Sequence, residues 1–314
     1  MLAVMPWSGE KAAVPAPPPA VAAPSWTRGS FASVDGARLS YQYRAGAGPA
    51  VLLVHGIGVG ASGFTRWREF FPGRPLMILE RRGYGSPSGR VDENDAGAVN
   101  QDDVSAAIDE ARRLSGSPRV GVLGYSLGAM LIPAPDPARV LWVALICPGV
   151  PGMANDLPAS EQALAAQTRY WFGVARLGGP LALQNWLETV VAPGVRELSD
   201  KARSLGLNET ADEVAAGAKS PAFLNLYTEE SLWAYAQKDG PAASSRVPMF
   251  VGYAQDDQVV PPAAVQRRAA QLSSAGARVT VAHWPGDHLD ALATPTLARP
   301  ALEAFDAAAA AIAR

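Results

Sequence analysis

The most reactive pattern in the chain is a serine set between glycines, Gly124-Tyr125-Ser126-Leu127-Gly128, at the end of the apolar run Arg119–Leu123. A serine on a tight strand-to-helix turn projects its hydroxyl above a sheet, and glycines two residues to either side remove Cβ clashes. Two later stretches end in the groups such a serine needs. Phe250–Ala254 runs into Asp256 and Asp257 ahead of Pro261, and Val279–His283 runs into Trp284-Pro285-Gly286-Asp287-His288. A serine hydroxyl is a weak nucleophile at neutral pH unless a base sits beside it. Upstream, Val51–Val54 enters the glycine turn His55-Gly56-Ile57-Gly58, which could aim a backbone N–H at a developing oxyanion. The five-residue serine motif is short enough to arise by chance. The order Ser, Asp, His is more specific, because each follows the carboxyl end of a strand and parallel strands align those ends on one rim.

The elements that must position these groups follow a regular alternation. Strand-like runs occupy Leu39–Tyr43, Ala50–His55, Leu76–Glu80, Arg119–Tyr125, Arg139–Cys147, Pro248–Ala254 and Ala277–His283. Helical periods lie between them: Val104, Ala107, Ile108, Ala111 and Leu114 behind the acidic start Asp102–Asp103; Val265, Ala269 and Leu272 behind Pro261–Pro262; Leu302, Phe305, Ala309 and Ile312 behind Pro300. Strands alternating with helices predict an α/β fold, with a mostly parallel sheet covered on both faces. Residues 151–245 break the alternation and read as helices alone, an all-helical insert. The expected organisation is therefore a Pro/Ala-rich flexible tail over 1–28, an α/β core over 29–150 and 246–314, and a helical cap insertion over 151–245. The tail holds five prolines within residues 13–24, lacks a basic head and does not read as a signal peptide.

These motifs together resemble the α/β-hydrolase family, from about residue 29 to the C-terminus. The residues that carry the resemblance are His55-Gly56, Arg81-Arg82-Gly83-Tyr84-Gly85, the Gly124–Gly128 elbow, the Asp257-to-Pro261 spacing and Pro285-Gly286-Asp287-His288. It implies Ser126 as nucleophile, His288 as base, and Asp257 as the acid that orients the histidine. It also implies the backbone N–H groups of Ile57 and Leu127 as an oxyanion hole. Asp257, rather than Asp256, sits four residues before a proline as the family pattern requires. His283 lies within its strand and lacks the Pro-Gly turn, and His55 is expected to pack beneath the oxyanion turn. Asp287 and Asp290 read as solvated neighbours of His288. Aromatic residues of the insert (Trp171, Trp186, Phe223, Tyr227 and Trp233) are candidates for an apolar substrate pocket, although stripes at helical spacing first of all pack a cap onto its core.

Composition narrows the function classes. The balance of 27 basic and 29 acidic residues, with no basic run, argues against nucleic acid as a partner. The longest apolar stretch, Val140–Cys147, is far short of the about 20 residues that cross a bilayer. One cysteine, Cys147, and three histidines offer no disulfide framework and no dedicated metal site. Gly58-Val59-Gly60 opens no dinucleotide fingerprint and carries no phosphate-loop lysine. The expectation is a cytoplasmic, cofactor-free serine hydrolase acting on a small-molecule ester or thioester with a hydrophobic group, its oligomeric state open. The same three residues could instead serve acyl transfer, amide cleavage or carbon–carbon bond hydrolysis, or the fold could be kept for non-catalytic ligand binding. One departure from the family stands out. Pro133, Pro135 and Pro137 follow the elbow closely and leave room for a helix of about two turns.

Overall fold

The computed structural model describes residues 25–84, 96–240, 242 and 245–312. Eight strands form one sheet: β1 (Trp26–Ala32), β2 (Arg38–Arg44), β3 (Val51–Val54), β4 (Leu76–Glu80), β5 (Val120–Tyr125), β6 (Val140–Ile146), β7 (Met249–Ala254) and β8 (Val279–Trp284). They lie in the order β1-β2-β4-β3-β5-β6-β7-β8. β2 runs antiparallel to β1 and β4, and every pairing from β4 to β8 is parallel. The central strands are short continuous apolar runs because both faces are covered, and every residue of β3 and β5 is buried. Alternate residues feed two cores. Val51, Leu53, Leu123, Trp142 and Phe250 pack on one side of the sheet, and Leu52, Val54, Val122, Val143 and Val251 on the other.

The helices are α1 (Ala96–Ser115), α2 (Leu127–Met130), α3 (Ala159–Leu177), α4 (Pro180–Trp186), α5 (Ala192–Ser204), α6 (Asn208–Gly217), α7 (Pro221–Ala236), α8 (Pro262–Ser274), α9 (Asp290–Ala293) and α10 (Arg299–Ile312). The α/β architecture and its mostly parallel sheet agree with the sequence. Between β6 and β7 lie a short 3-10 turn, α3 to α7 and a π-helical turn at Leu187–Val191. No strand occurs in this segment among the described residues. α7 is its deepest helix, burying Leu224, Leu226 and Leu232. α3 buries only Phe172 and Ala175 and leaves Leu164, Trp171 and Val174 exposed. At the corner into α4, Leu177 and Leu181 stand 90% and 79% exposed. No helix among the described residues is long and apolar enough to cross a membrane.

Three local expectations differ from what is observed. β1 begins at Trp26, within the stretch expected as tail. It is a half-exposed edge strand, too polar in Thr27–Ser30 to show alternation, and the remainder of that tail, residues 1–24, lies outside the described residues. Helix α1 is already formed at Ala96, so Asp102 and Asp103 sit within it rather than at its start. The acid at 103 answers a different demand: it is buried and takes two hydrogen bonds from Arg82, at 2.9 and 2.7 Å. Helix α2 is a single turn, shorter than the two turns expected, before the prolines take the chain away.

The elbow fixes how closely β3 and α2 approach. A Cβ on Gly128 would stand 2.2 Å from the Val54 carbonyl oxygen, and one on Gly124 would stand 2.6 Å from Ala129 Cα. Backbone in a central strand has little room to yield. Gly128→Ala is therefore expected to lower unfolding stability by about 1–3 kcal/mol in urea titration. Gly173→Ala is the control: an added Cβ there meets nothing within 4 Å. In that exposed helix it should raise stability by up to about 1 kcal/mol.

Candidate active site

Ser126 occupies the step between β5 and α2 with φ 54° and ψ −125°, a conformation that side-chain-bearing residues rarely adopt. Its N–H donates to the Ile146 carbonyl at 3.0 Å, and its own carbonyl accepts the N–H groups of Ala129 and Gly149. The hydroxyl is thereby raised above the carboxyl rim of the parallel strands.

His288 lies in the loop between β8 and α9. Its Nε2 is 2.9 Å from Ser126 Oγ, and its Nδ1 is 2.7 Å from Asp257 Oδ2. The loop is held from below by Tyr125, whose hydroxyl donates to the His288 carbonyl at 3.0 Å. Asp257 is 2% exposed, so its charge must be met locally. Oδ1 accepts the backbone N–H groups of Val259 and Val260 at 2.9 and 2.8 Å, which leaves Oδ2 to face the imidazole. The structure thus brings Ser126, His288 and Asp257 into one hydrogen-bonded line.

The competing residues go elsewhere. Asp256 is exposed and accepts the Gly286 N–H at 3.3 Å, steadying the Pro285-Gly286 turn. His283 is exposed on β8 against Tyr253. His55 is 1% exposed. Its Nε2 accepts the Arg81 N–H at 3.1 Å, which puts the ring proton on Nδ1 facing the Gly56 carbonyl. Burial first, and the Arg81 charge second, push the His55 pKa well below the ordinary histidine range, so it stays neutral under the turn. Asp287 and Asp290 are not simply solvated. Asp287 pairs with Lys201 of α5 at 2.8 Å, and Asp290 accepts the Asp287 N–H at 2.8 Å.

A cavity of about 490 Å³ opens over Ser126 between sheet rim and insert, and Ile57, Leu127 and His288 line it with the serine. Neither the Ile57 nor the Leu127 N–H makes a hydrogen bond among the described residues. Of the five insert aromatics expected around the pocket, Tyr227 lines this cavity. Phe223 lines a smaller neighbouring one with Tyr84, and Trp233 lines a cleft behind α2. Trp186 packs on Phe172, and Trp171 is 47% exposed beside Tyr170. Helical spacing placed these rings on stripes without saying which stripe faces the rim. Other cavity residues, among them Met130, Met153, Glu197 and Lys201, carried no motif. Glu230 also went unnoticed. It is 1% exposed, yet it follows Glu229 in a stretch, Leu224–Trp233, that mixes polar and apolar residues, so no local signal set it apart.

A mostly parallel α/β sheet with a strained serine at one strand end, and acid and histidine at two others, defines an α/β hydrolase. Residues 51–300 match the model of the alpha/beta hydrolase family, and the chain belongs to that family. Solved structures agree in fold. A 2-hydroxy-6-oxo-6-phenylhexa-2,4-dienoate hydrolase from Rhodococcus superposes with a TM-score of 0.65 at 17% identity, covering 90% of this chain and 99% of that one. A thermophilic esterase from Thermogutta terrifontis gives 0.62 at 16% identity, covering 90% and 99%. A hydrolase from Pseudomonas aeruginosa gives 0.62 at 17%, covering 88% and 97%. Among curated protein sequences, none matches the chain.

Cys147 directly follows β6 beside this site, and its Sγ, an Asp257 oxygen and a His288 nitrogen lie within 4.8 Å of one another. Burial, followed by the Asp257 carboxylate, pushes the thiol pKa well above its usual range and keeps it protonated. The thiolate is the reactive form. A thiol reagent should therefore leave native protein unmodified and titrate its one cysteine only after unfolding; fast labelling of the native state would contradict this.

Proposed function

We propose that this chain is a cofactor-free serine hydrolase that cleaves a carboxylic ester or thioester bearing a hydrophobic group. The observation that carries the proposal is the continuous line from Ser126 Oγ through His288 to Asp257, at 2.9 and 2.7 Å. In this reading His288 Nε2 takes the hydroxyl proton as Ser126 attacks the carbonyl carbon, and Asp257 stabilises the imidazolium that forms. Charge on the carbonyl oxygen falls to the N–H groups of Ile57 and Leu127, the latter at the first residue of α2. His288 then returns the proton to the departing alcohol or thiol. Water, activated by the same imidazole, attacks the acyl group and releases the acid and free Ser126. Ile57, Val59, Met130, Met153, Leu198 and Tyr227 supply an apolar wall suited to the hydrophobic part of a small-molecule substrate.

The direct test is labelling with a fluorophosphonate, read by intact mass. Wild type should take one adduct and Ser126→Ala none; a folded wild type that takes none would overturn the proposal. With p-nitrophenyl esters, Asp257→Asn should cost on the order of 10⁴-fold in turnover, as loss of the orienting acid does in a serine protease. Asp256→Asn should leave turnover essentially unchanged, and equal losses at the two aspartates would refute the assignment of the acid. Each methylene added to the acyl chain should raise kcat/KM by up to about fourfold, the equivalent of burying one CH₂, until the cavity is full.

A further inference from the structure

The turn at residues 55–60 holds three glycines and no regular structure, so its shape must be imposed by neighbours. Both flanks of Ile57 are hooked. On one side the Gly56 carbonyl accepts from Arg81 Nη2 at 2.7 Å. On the other the Gly58 N–H donates to the Tyr84 hydroxyl at 2.9 Å. The two hooks end on one group. Arg81 Nη1 and Nη2 lie 2.5 and 3.2 Å from Oε1 and Oε2 of Glu230, and the Tyr84 hydroxyl donates to Oε2 at 2.8 Å. Arg81 and Glu230 are each 1% exposed, and Glu230 belongs to α7 of the insert, not to the core.

We propose that Glu230 is a positioning residue that, through Arg81 and Tyr84, sets the direction of the Ile57 N–H, so the oxyanion turn is complete only when the insert is seated. This rests on the reading of Ile57 as an oxyanion donor. Apolar side chains of similar size would fill the same space with comparable stability, since burying a charge pair costs much of what the attraction returns. Packing alone, however, does not fix the rotation of a peptide plane, whereas two hydrogen bonds on adjoining peptides do. Tyr84 has a second hold on the turn, its ring meeting His55 edge-on at 4.7 Å. The insert therefore acts on the chemistry as well as enclosing the substrate.

The test uses Tyr84→Phe, Glu230→Gln and the double variant Arg81→Met with Glu230→Leu. Three quantities are read on each: kcat and KM on a p-nitrophenyl ester, thermal midpoint, and amide hydrogen exchange at residues 56–60. Tyr84→Phe removes one oxygen and keeps the ring. It should lower kcat about tenfold with KM changed by less than about twofold, as small misplacements of a catalytic group do, and speed exchange in the turn. Glu230→Gln should lower both kcat and the midpoint. The double variant should regain the midpoint while kcat stays low, because packing is restored and direction is not. Recovery of kcat along with the midpoint would show a purely structural pair and overturn the proposal, as would unchanged exchange in Tyr84→Phe. Exchange does not depend on turnover. A wild type that fails to react with fluorophosphonate would therefore sink the hydrolase reading, while exchange would still decide whether Glu230 holds the turn.

Discussion

The site depends on one backbone conformation, that of Ser126 at φ 54°. A non-glycine residue held there costs on the order of 1–3 kcal/mol, and it persists only when its surroundings leave no alternative. Those surroundings come from several elements at once. β6 accepts the serine N–H, Ala129 and Gly149 donate to its carbonyl, and Gly128 lies against the carbonyl edge of β3. The contacts that α2 itself supplies, through Gly128 and Ala129, fall within its first turn, and the rest come from other segments. This is why a helix of four residues is enough, and why three prolines can follow without disturbing the elbow.

Legibility in the sequence divides along a physical line. Ser126, Asp257 and His288 could be picked out because each lies just past an apolar strand, and strand ends are written locally by hydrophobic runs and glycine turns. The central strands were legible for the same reason, being buried on both faces. β1 was not, since an edge strand with one wet face tolerates Thr27-Arg28-Gly29-Ser30. The insert was recognisable as helical from period alone, but period cannot orient a stripe. Trp171 thus turned out to face solvent, while Tyr227 faces the cavity. Ion pairs between distant segments, such as Lys201 with Asp287, leave no local trace at all.

The run Glu80-Arg81-Arg82 shows how far such distant pairing can reverse a local impression. Three charges in a row ordinarily mark a wet surface. Here the two arginines are 1% and 3% exposed. Consecutive residues at a strand end point to opposite sides. Arg81 consequently meets Glu230 of the insert, while Arg82 meets Asp103 of α1 and Asp35 of the β1–β2 turn. The dipeptide ties both layers of the molecule to the end of one strand. Arg82 secures the core to itself, and Arg81 secures the insert to the core. Sparse charge over the whole chain accords with this use, in which several of the charges present are committed to internal ties.

The lone cysteine has a practical corollary. With its only thiol shut beneath the sheet rim, the molecule offers a silent background for thiol chemistry, and a single cysteine introduced at a wet position becomes a unique attachment point. The corner at Leu177 stands almost wholly in water and packs nothing, so a spectroscopic reporter there would ride on the insert without perturbing it. Paired with a second reporter on the core, it would turn the seating of the insert into a distance that can be followed in time.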